Sequence, residues 1–344
     1  MGGSARSDEI ELRAAASQVW EAITTPQMTR RYYFGLGVDS DWRAGSPYAY
    51  RAGDGTALEE GQVVESVPGR RLRLTSAWRF ARAREEPPHE VTWEIEPVGE
   101  RTRVRLTRSG MAPDSLSSRL AEDAVYVALQ GLRSTIDPDV AAQLRRLDRI
   151  GEVAVEELTP ARLDHFLDFF DHRAFVDHPA WSGCYCMAQL FPGSDEEWAL
   201  RTGRENREEM SERIRAGRVH GLLAYVHGQP AGWCHAGPRA ELLGLRRRFQ
   251  LAGDEAGRVG SVACFVIAAP YRRHGVARRL LDAACGRLAR LGLEVAEAYP
   301  LRQPAADADA YRGPLSLYLA AGFEPFRETP RHLIVRKSLG AAGE

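Results

Sequence analysis

The densest run of residues able to do chemistry in this 344-residue sequence is Arg272-Arg273-His274-Gly275-Val276-Ala277-Arg278. It follows a short, β-branched-rich apolar run, Val262 to Ile267, that Pro270 brings to an end. Beyond it Val276, Leu280, Leu281, Ala284, Leu288 and Leu291 recur with helical spacing, and Arg278, Arg279, Asp282, Arg287 and Arg290 take the other face. The pattern reads as buried strand, tight turn and amphipathic helix. First-turn N–H groups of such a helix have no intrahelical partner, and the macrodipole adds partial positive charge there. Gly275 has no Cβ and Ala277 only a methyl, so a phosphate can come close to the backbone.

A second concentration is Gly183-Cys184-Tyr185-Cys186-Met187. With His172 and His178 its thiols would suit zinc, but one residue between two cysteines is not the usual structural-zinc spacing, and no metal is expected. A cysteine nucleophile would need a base and electropositive surroundings.

Composition limits what these clusters can serve. The length suits two domains, each able to bury its own core. A net charge of −1 supplies no long-range field for nucleic acid or an anionic membrane. Lys337 is the one lysine among 46 basic residues, a bias of coding composition rather than of function. Five cysteines, mostly in apolar runs, fit a reducing compartment better than a disulfide framework. No signal core and no apolar run of membrane-spanning length is present, so a cytoplasmic protein is expected.

The second half reads as a mixed set of elements after a charged, turn-rich linker from Asp137 to Gly151. Val153 to Val155 is a strand, and Thr159-Pro160 opens a helix with Thr159 as N-cap. Asp195 to Ala216 is a second helix, Leu222–Tyr225 and Ala231–Cys234 a hairpin, and Glu241 to Leu251 a further helical segment. After the central strand and helix come Val295 to Tyr299, a polar loop, a helix at Tyr318, and strands near Phe323 and Leu333 to Val335.

Arg272-x-x-Gly275-x-Ala277 after an apolar strand resembles the acyl-CoA pyrophosphate loop of the GNAT family of N-acetyltransferases. Ser316 to Glu324, with Tyr318 four residues before Gly322-Phe323, is similar to that family's later helix-turn-strand. Ala231-Gly232-Trp233 is similar to its early hairpin. The resemblance spans residues 150–340 and implies a mixed α/β sheet with acetyl-CoA as cosubstrate in a gap between strands ending near Ile267 and Tyr299. Phe265, Val266 and Ile267 would pair with the pantetheine arm, and Arg272, Arg273, His274, Gly275, Val276, Ala277 and Arg278 would hold the pyrophosphate. Tyr318 matches the family's general acid. Glu297, on the strand beside the acyl site, is the favoured base, with His235 and a water chain as alternatives. Cys184, Tyr185, Cys186 and Met187 resemble an element of one subgroup that lies beside the acceptor pocket, which His235 and Tyr299 would also line. One departure concerns Tyr311, which stands where many members carry an asparagine that touches pantetheine.

The first half, residues 1–145, is strand-rich. Ser17 to Ile23 reads as a short helix capped by Ser17 and broken at Thr24-Thr25-Pro26. Tyr48 and Tyr50, then Leu72, Leu74, Trp78 and Phe80, then Val91, Trp93 and Ile95, then Val104 and Leu106 alternate with polar neighbours, as in an antiparallel sheet buried on one face. Leu116 to Ile136 is a long helix whose Val125, Leu129, Leu132 and Ile136 can cover that sheet, and Pro138 ends it. The order resembles the SRPBCC or START-like helix-grip superfamily, and Asp41-Trp42-Arg43-Ala44-Gly45 and Val91 to Val98 resemble its branch of heat-shock-protein ATPase activator homologues. That resemblance implies an apolar cavity lined by Trp20, Tyr33, Phe34, Trp78, Trp93, Tyr126 and Leu129. No convergent acid and base is visible in this half.

The fold class expected is therefore α+β in two domains. The function expected is acetyl transfer from acetyl-CoA to a small-molecule amine through a tetrahedral intermediate, in the service of detoxification or resistance, with an N-terminal domain that binds an apolar ligand. A non-catalytic acyl-CoA or apolar-ligand sensor and a co-chaperone-like interaction protein are the alternatives. No nucleic-acid or membrane partner is expected, and a homo-oligomer is compatible with the sequence.

Overall fold

The computed structural model of the chain describes residues 3–251, 258–303 and 311–340. The polar loop expected after Tyr299 lies, for residues 304–310, outside the described residues. Two units emerge, Met1–Arg145 with Val176–Gly183, and Arg146–Phe175 with Cys184–Glu344.

In the first unit alternation does what it predicts. Strands β1 (Ser4–Leu12), β2 (Gly37–Asp39), β3 (Pro47–Arg51), β4 (Ala57–Val67), β5 (Arg71–Trp78), β6 (His89–Val98) and β7 (Arg101–Met111) form one sheet in the order β1-β7-β6-β5-β4-β3-β2. Every pair is antiparallel. One face is buried, and the three helices α1 (Ala16–Thr24), α2 (Pro26–Tyr32) and α3 (Leu116–Ile136) pack on it. Leu129 and Leu132 of α3 meet Leu72, Trp93, Val104 and Leu106 in one core.

One local expectation changes, and two expected breaks each open a further helix. Ser17 does not cap α1, because the Gln18 side chain accepts the Ala15 N–H instead. The break expected at Thr24-Thr25-Pro26 is present, with α1 ending at Thr24, and Pro26 then opens α2 at its first turn, where a missing N–H costs nothing. Pro138 likewise starts a further helix, α4 (Pro138–Gln143), with the Asp137 carboxylate accepting the Asp139 N–H.

The second unit is a seven-stranded mixed sheet in the order β13-β14-β12-β11-β10-β9-β8. Its strands are β8 (Val153–Glu157), β9 (Gly221–Val226), β10 (Gln229–Pro238), β11 (Val259–Ile267), β12 (Val295–Ala298), β13 (Glu324–Glu328) and β14 (Leu333–Ser338). Only β11 and β12 pair in parallel. The amphipathic helix α9 (Val276–Arg290) packs against one face, its Leu280, Leu281, Ala284 and Leu288 meeting Leu222, Cys234 and Val262. On the opposite face α5 (Leu163–His172) and α7 (Gly203–Arg215) bury Phe166, Phe170, Met210 and Ile214 against Leu223 and Trp233.

Sequence periodicity ran two pieces together here. The expected helix from Asp195 to Ala216 is split into α6 (Asp195–Ala199) and α7, because Thr202 accepts the Glu205 N–H and starts a new helix. Thr159 makes no side-chain cap, and Pro160–Arg162 form a 3-10 turn ahead of α5. The Arg-rich segment contributes the short α8 (Leu243–Arg248), and Tyr318 sits on the five-residue α10 (Leu315–Leu319). Among the described residues no helix is long and apolar enough to cross a membrane.

Candidate functional site

The site begins with one extra residue. Along β10 and β11, His235 faces Cys264 but Ala236 faces Val262, so Ala263 is a β-bulge with no partner across the ladder. A bulge bends its strand and ends regular pairing. On its other side β11 pairs with β12 only as far as Val262 and Ala298. Beyond that point β11 continues to Ile267 with a free edge toward β12, and the two strands fork.

At the far end of the fork the chain turns through Ala269–Tyr271 into α9. Gly275 stands at the N-cap with φ of 78°, in the left-handed region where an L side chain is strained. No atom lies within 4 Å of where its Cβ would be. The helix has no side-chain cap and no acidic residue in its first turn, so its orphan N–H groups face outward with their positive end of the dipole. Arg272 and Arg278 are tied back, Arg272 Nε to the Ile267 carbonyl at 2.9 Å and Arg278 to Asp282 and the Ala320 carbonyl. The His274 ring meets the Leu147 carbonyl at 2.6 Å, and a pocket of about 640 Å³ opens beside Gly275, walled by Asp148–Val153 and the first turns of α9. The helix start suits a diphosphate through its backbone donors and a first turn without carboxylates, while Asp148, Glu152 and Asp282 stand in the wall of the pocket beside it.

Tyr318 is fully buried behind β11, 6.4 Å from the Phe265 ring centre. Its hydroxyl donates to the Arg312 carbonyl at 2.6 Å. Gly313, at φ of 79°, leaves the space this hydroxyl needs, since a Cβ there would stand 2.8 Å from it. Burial raises the phenol's pKa well above its ordinary value, so it stays a proton donor at neutral pH.

Glu297 does not have the geometry of a base. Its buried carboxylate receives Arg239 Nη1 at 3.2 and 3.3 Å, Arg336 Nε at 2.7 Å and the Tyr299 hydroxyl at 2.5 Å. A carboxylate has about four lone-pair sites, and these contacts fill them. Ser261 in turn donates to Tyr299 at 2.7 Å, so Tyr299 belongs to the same network. His235 is a weak alternative: burial lowers its pKa to about 3, and its Nδ1 lies 3.3 Å from Cys186 Sγ.

Cys186, Met187 and Tyr299 share one core cluster, with Tyr185 packed against it. Tyr185 and Cys186 both have positive φ, 42° and 58°, and the Tyr185 hydroxyl is anchored on Asp171 at 2.6 Å. Cys186, Met187, His235 and Tyr299 are closed to solvent. They therefore form packed floor beneath the fork rather than the open lining expected. Cys184 is partly exposed, and burial pushes its thiol up to about 11.

Sequence reasoning missed Arg312, whose buried Nη1 donates to the carbonyl of the bulge residue Ala263 at 3.2 Å, and a buried network in the first unit. There Glu59 accepts from Tyr33 at 2.9 Å, Ser76 at 2.7 Å, Trp78 at 3.2 Å and Arg108 at 3.0 Å. Arg108 also contacts His89 Nε2 at 2.9 Å. The available signal was phase: Arg108 follows Thr102, Val104 and Leu106 on the buried side of β7. Of the expected cavity residues, Tyr33, Trp78, Trp93 and Leu129 are buried and Trp20 is half-buried. Phe34 and Tyr126 are 48% and 38% exposed and do not line an interior.

Residues 13–137 match the family described as Activator of Hsp90 ATPase homolog 1-like protein, and residues 187–308 match the Acetyltransferase (GNAT) family. No curated protein matches the sequence. Among solved structures the chain is similar to CalU16 from Micromonospora echinospora, with 19% identity, 41% of this chain and 80% of that chain covered, and a TM-score of 0.33. It is also similar to the Aha1 dimer from Colwellia psychrerythraea, with 17% identity, 39% and 96% coverage, and a TM-score of 0.33. An HSP90 activator from Plasmodium falciparum gives 18% identity, 33% and 77% coverage, and a TM-score of 0.29. The chain thus joins an Activator of Hsp90 ATPase homolog 1-like domain to a GNAT-family acetyltransferase domain.

Proposed function

We propose that the second domain transfers an acetyl group from acetyl-CoA to a small-molecule amine. The observation that carries this reading is the uncapped start of α9 at Gly275, joined by the free edge of β11 to a fork between parallel strands. Phe265, Val266 and Ile267 would offer that edge to the pantetheine arm. Arg272 to Arg278 would surround the diphosphate, with backbone N–H groups at Gly275 to Ala277 as its donors. The thioester carbonyl would then reach the bulge, where an unpaired strand N–H can stabilise the oxyanion of a tetrahedral intermediate.

The amine must attack as the neutral base, since an alkylammonium of pKa about 10 has no lone pair to give. Collapse of the intermediate would expel the CoA thiolate, and the Tyr318 phenol would protonate it once its bond to the Arg312 carbonyl is released. With Glu297 saturated, the amine's proton would leave through water in the fork. The first domain would bind an apolar ligand around Tyr33, Trp78, Trp93 and Leu129, which would suit detoxification or resistance.

The commitments of Tyr318 and Glu297 favour one second reading, a sensor that binds acyl-CoA without turnover. Thiol release from acetyl-CoA across an amine panel separates the two. Release with at least one amine is expected; tight acetyl-CoA binding with no release from any would establish the sensor. Gly275→Glu should abolish protection by acetyl-CoA in a thermal-shift assay, protection being about 2.7 kcal/mol at a hundredfold excess over Kd. Undiminished protection would remove the phosphate site.

A further inference from the structure

Arg312 is 1% exposed, yet its guanidinium makes a single hydrogen bond, from Nη1 to the Ala263 carbonyl at 3.2 Å. Among the described residues Nε and Nη2 have no hydrogen-bond partner. These two nitrogens form one edge of the guanidinium, the edge that presents two parallel N–H bonds to a planar oxyanion. The guanidinium carbon lies over two aromatic rings, Phe249 and Tyr311, each centred 5.0 Å away. Tyr318 fixes the residue's backbone.

Charge accounting points the same way. Among the described residues no carboxylate pairs with Arg312, and Glu297, the buried carboxylate of this unit, is already shared by Arg239 and Arg336. A buried cation with an unused donor edge is costly, because its desolvation is offset neither by a counter-charge nor by hydrogen bonds. Other buried arginines also leave one nitrogen unpartnered, Arg108 and Arg239 at Nε and Arg287 at Nη1, but each of them has a carboxylate. Arg312 leaves two nitrogens unpartnered and is anchored through Nη1 on Ala263, the bulge residue at which β11 and β12 part.

We infer that Arg312 grips a carboxylate carried by a reactant, so that the acceptor is an amino-acid-like amine held by its acid group through Nε and Nη2. This rests on the transferase reading for its chemistry, with the amine left free to reach the thioester. The same fork could instead seat a carboxylate on the acyl chain of a dicarboxylyl-CoA.

The test uses the full chain and matched probes. Free α- and ω-amino acids are compared with their primary amides for binding by calorimetry and for thiol release from acetyl-CoA. Succinyl-CoA is then compared with acetyl-CoA against an uncharged amine. Acids should outperform amides by on the order of 100-fold. Arg312→Gln should erase that preference, while Arg312→Lys, which keeps charge without the fork, should retain a fraction of it. A preference for succinyl-CoA, lost in Arg312→Gln, with amines treated alike, would put the carboxylate on the acyl chain. If acids bind selectively through Arg312 but no donor releases thiol, the carboxylate site stands and the transferase reading falls. Equal handling of acids and amides together with equal handling of both donors overturns the inference, as does a preference that survives both substitutions.

Discussion

Both halves of this protein bury arginine, and Arg108 in the first and Arg312 in the second are satisfied very differently. Arg108 of the first unit faces Glu59, whose oxygens also take the Tyr33, Ser76 and Trp78 donors, and its Nη1 meets His89. Arg312 of the second has one carbonyl and two aromatic faces. Burial alone therefore does not mark a functional charge. A network of this kind is part of the frame, because its buried charges meet one another within the fold even though Arg108 Nε is left over. A cation whose best donor edge is unused is arranged for something the fold does not contain.

That contrast is open to attack in order of effect. Glu59→Ala strands a buried guanidinium and should cost about 3–5 kcal/mol in denaturant unfolding; a loss below about 1 kcal/mol would mean the Arg108 network is not what holds that interior. Acid should probe the same network through His89, whose pKa burial lowers to about 4. The unfolded histidine takes a proton near pH 6.5 while the folded one does not, so stability is level above that pH and falls as pH drops toward about 4. The loss is on the order of 3 kcal/mol, and His89→Phe should flatten this part of the profile. Tyr318→Phe should slow turnover about 100-fold with acetyl-CoA affinity unchanged; an unaffected rate would leave Tyr318 as a brace for Arg312 alone. Smallest of all, Arg312→Met should change the stability of the ligand-free protein by less than about 1 kcal/mol. A cost comparable with Glu59→Ala would make the two arginines equivalent and dissolve the comparison.

Much of the frame was legible because periodicity reports burial. Val91, Trp93 and Ile95 betrayed a half-buried strand, and Leu116 to Ile136 a covering helix, both close to the bounds observed. The strand-turn-helix at Gly275 was legible because a glycine, flanking arginines and an apolar strand carry a physical signature in one short stretch. What escaped was long-range. Glu59 and Arg108 are 49 residues apart, and each looks like a solvated charge until β4 and β7 are folded over a common interior. Arg312 meets Ala263 across another 49 residues, with only a glycine and a distant tyrosine to hint at it. Glu297 was misjudged for the converse reason: a strand carboxylate shows its position in sequence, but not the three residues that fill its lone pairs.

The bulge at Ala263 has one more effect. It places Ala263 and Cys264 in the same core cluster, while Val262 before them and Phe265 after them belong to the opposite one. A single inserted residue thus cuts β11 into two lengths that need not share a pattern. The length before it answers to α9 and the structural core, and the length after it can be tuned to whatever enters the fork. Because Ala263 and Cys264 share a face, deleting Ala263 would leave Cys264 to Ile267 on the sides they now hold, yet it would restore regular pairing and remove the bend at the point where β11 leaves β12.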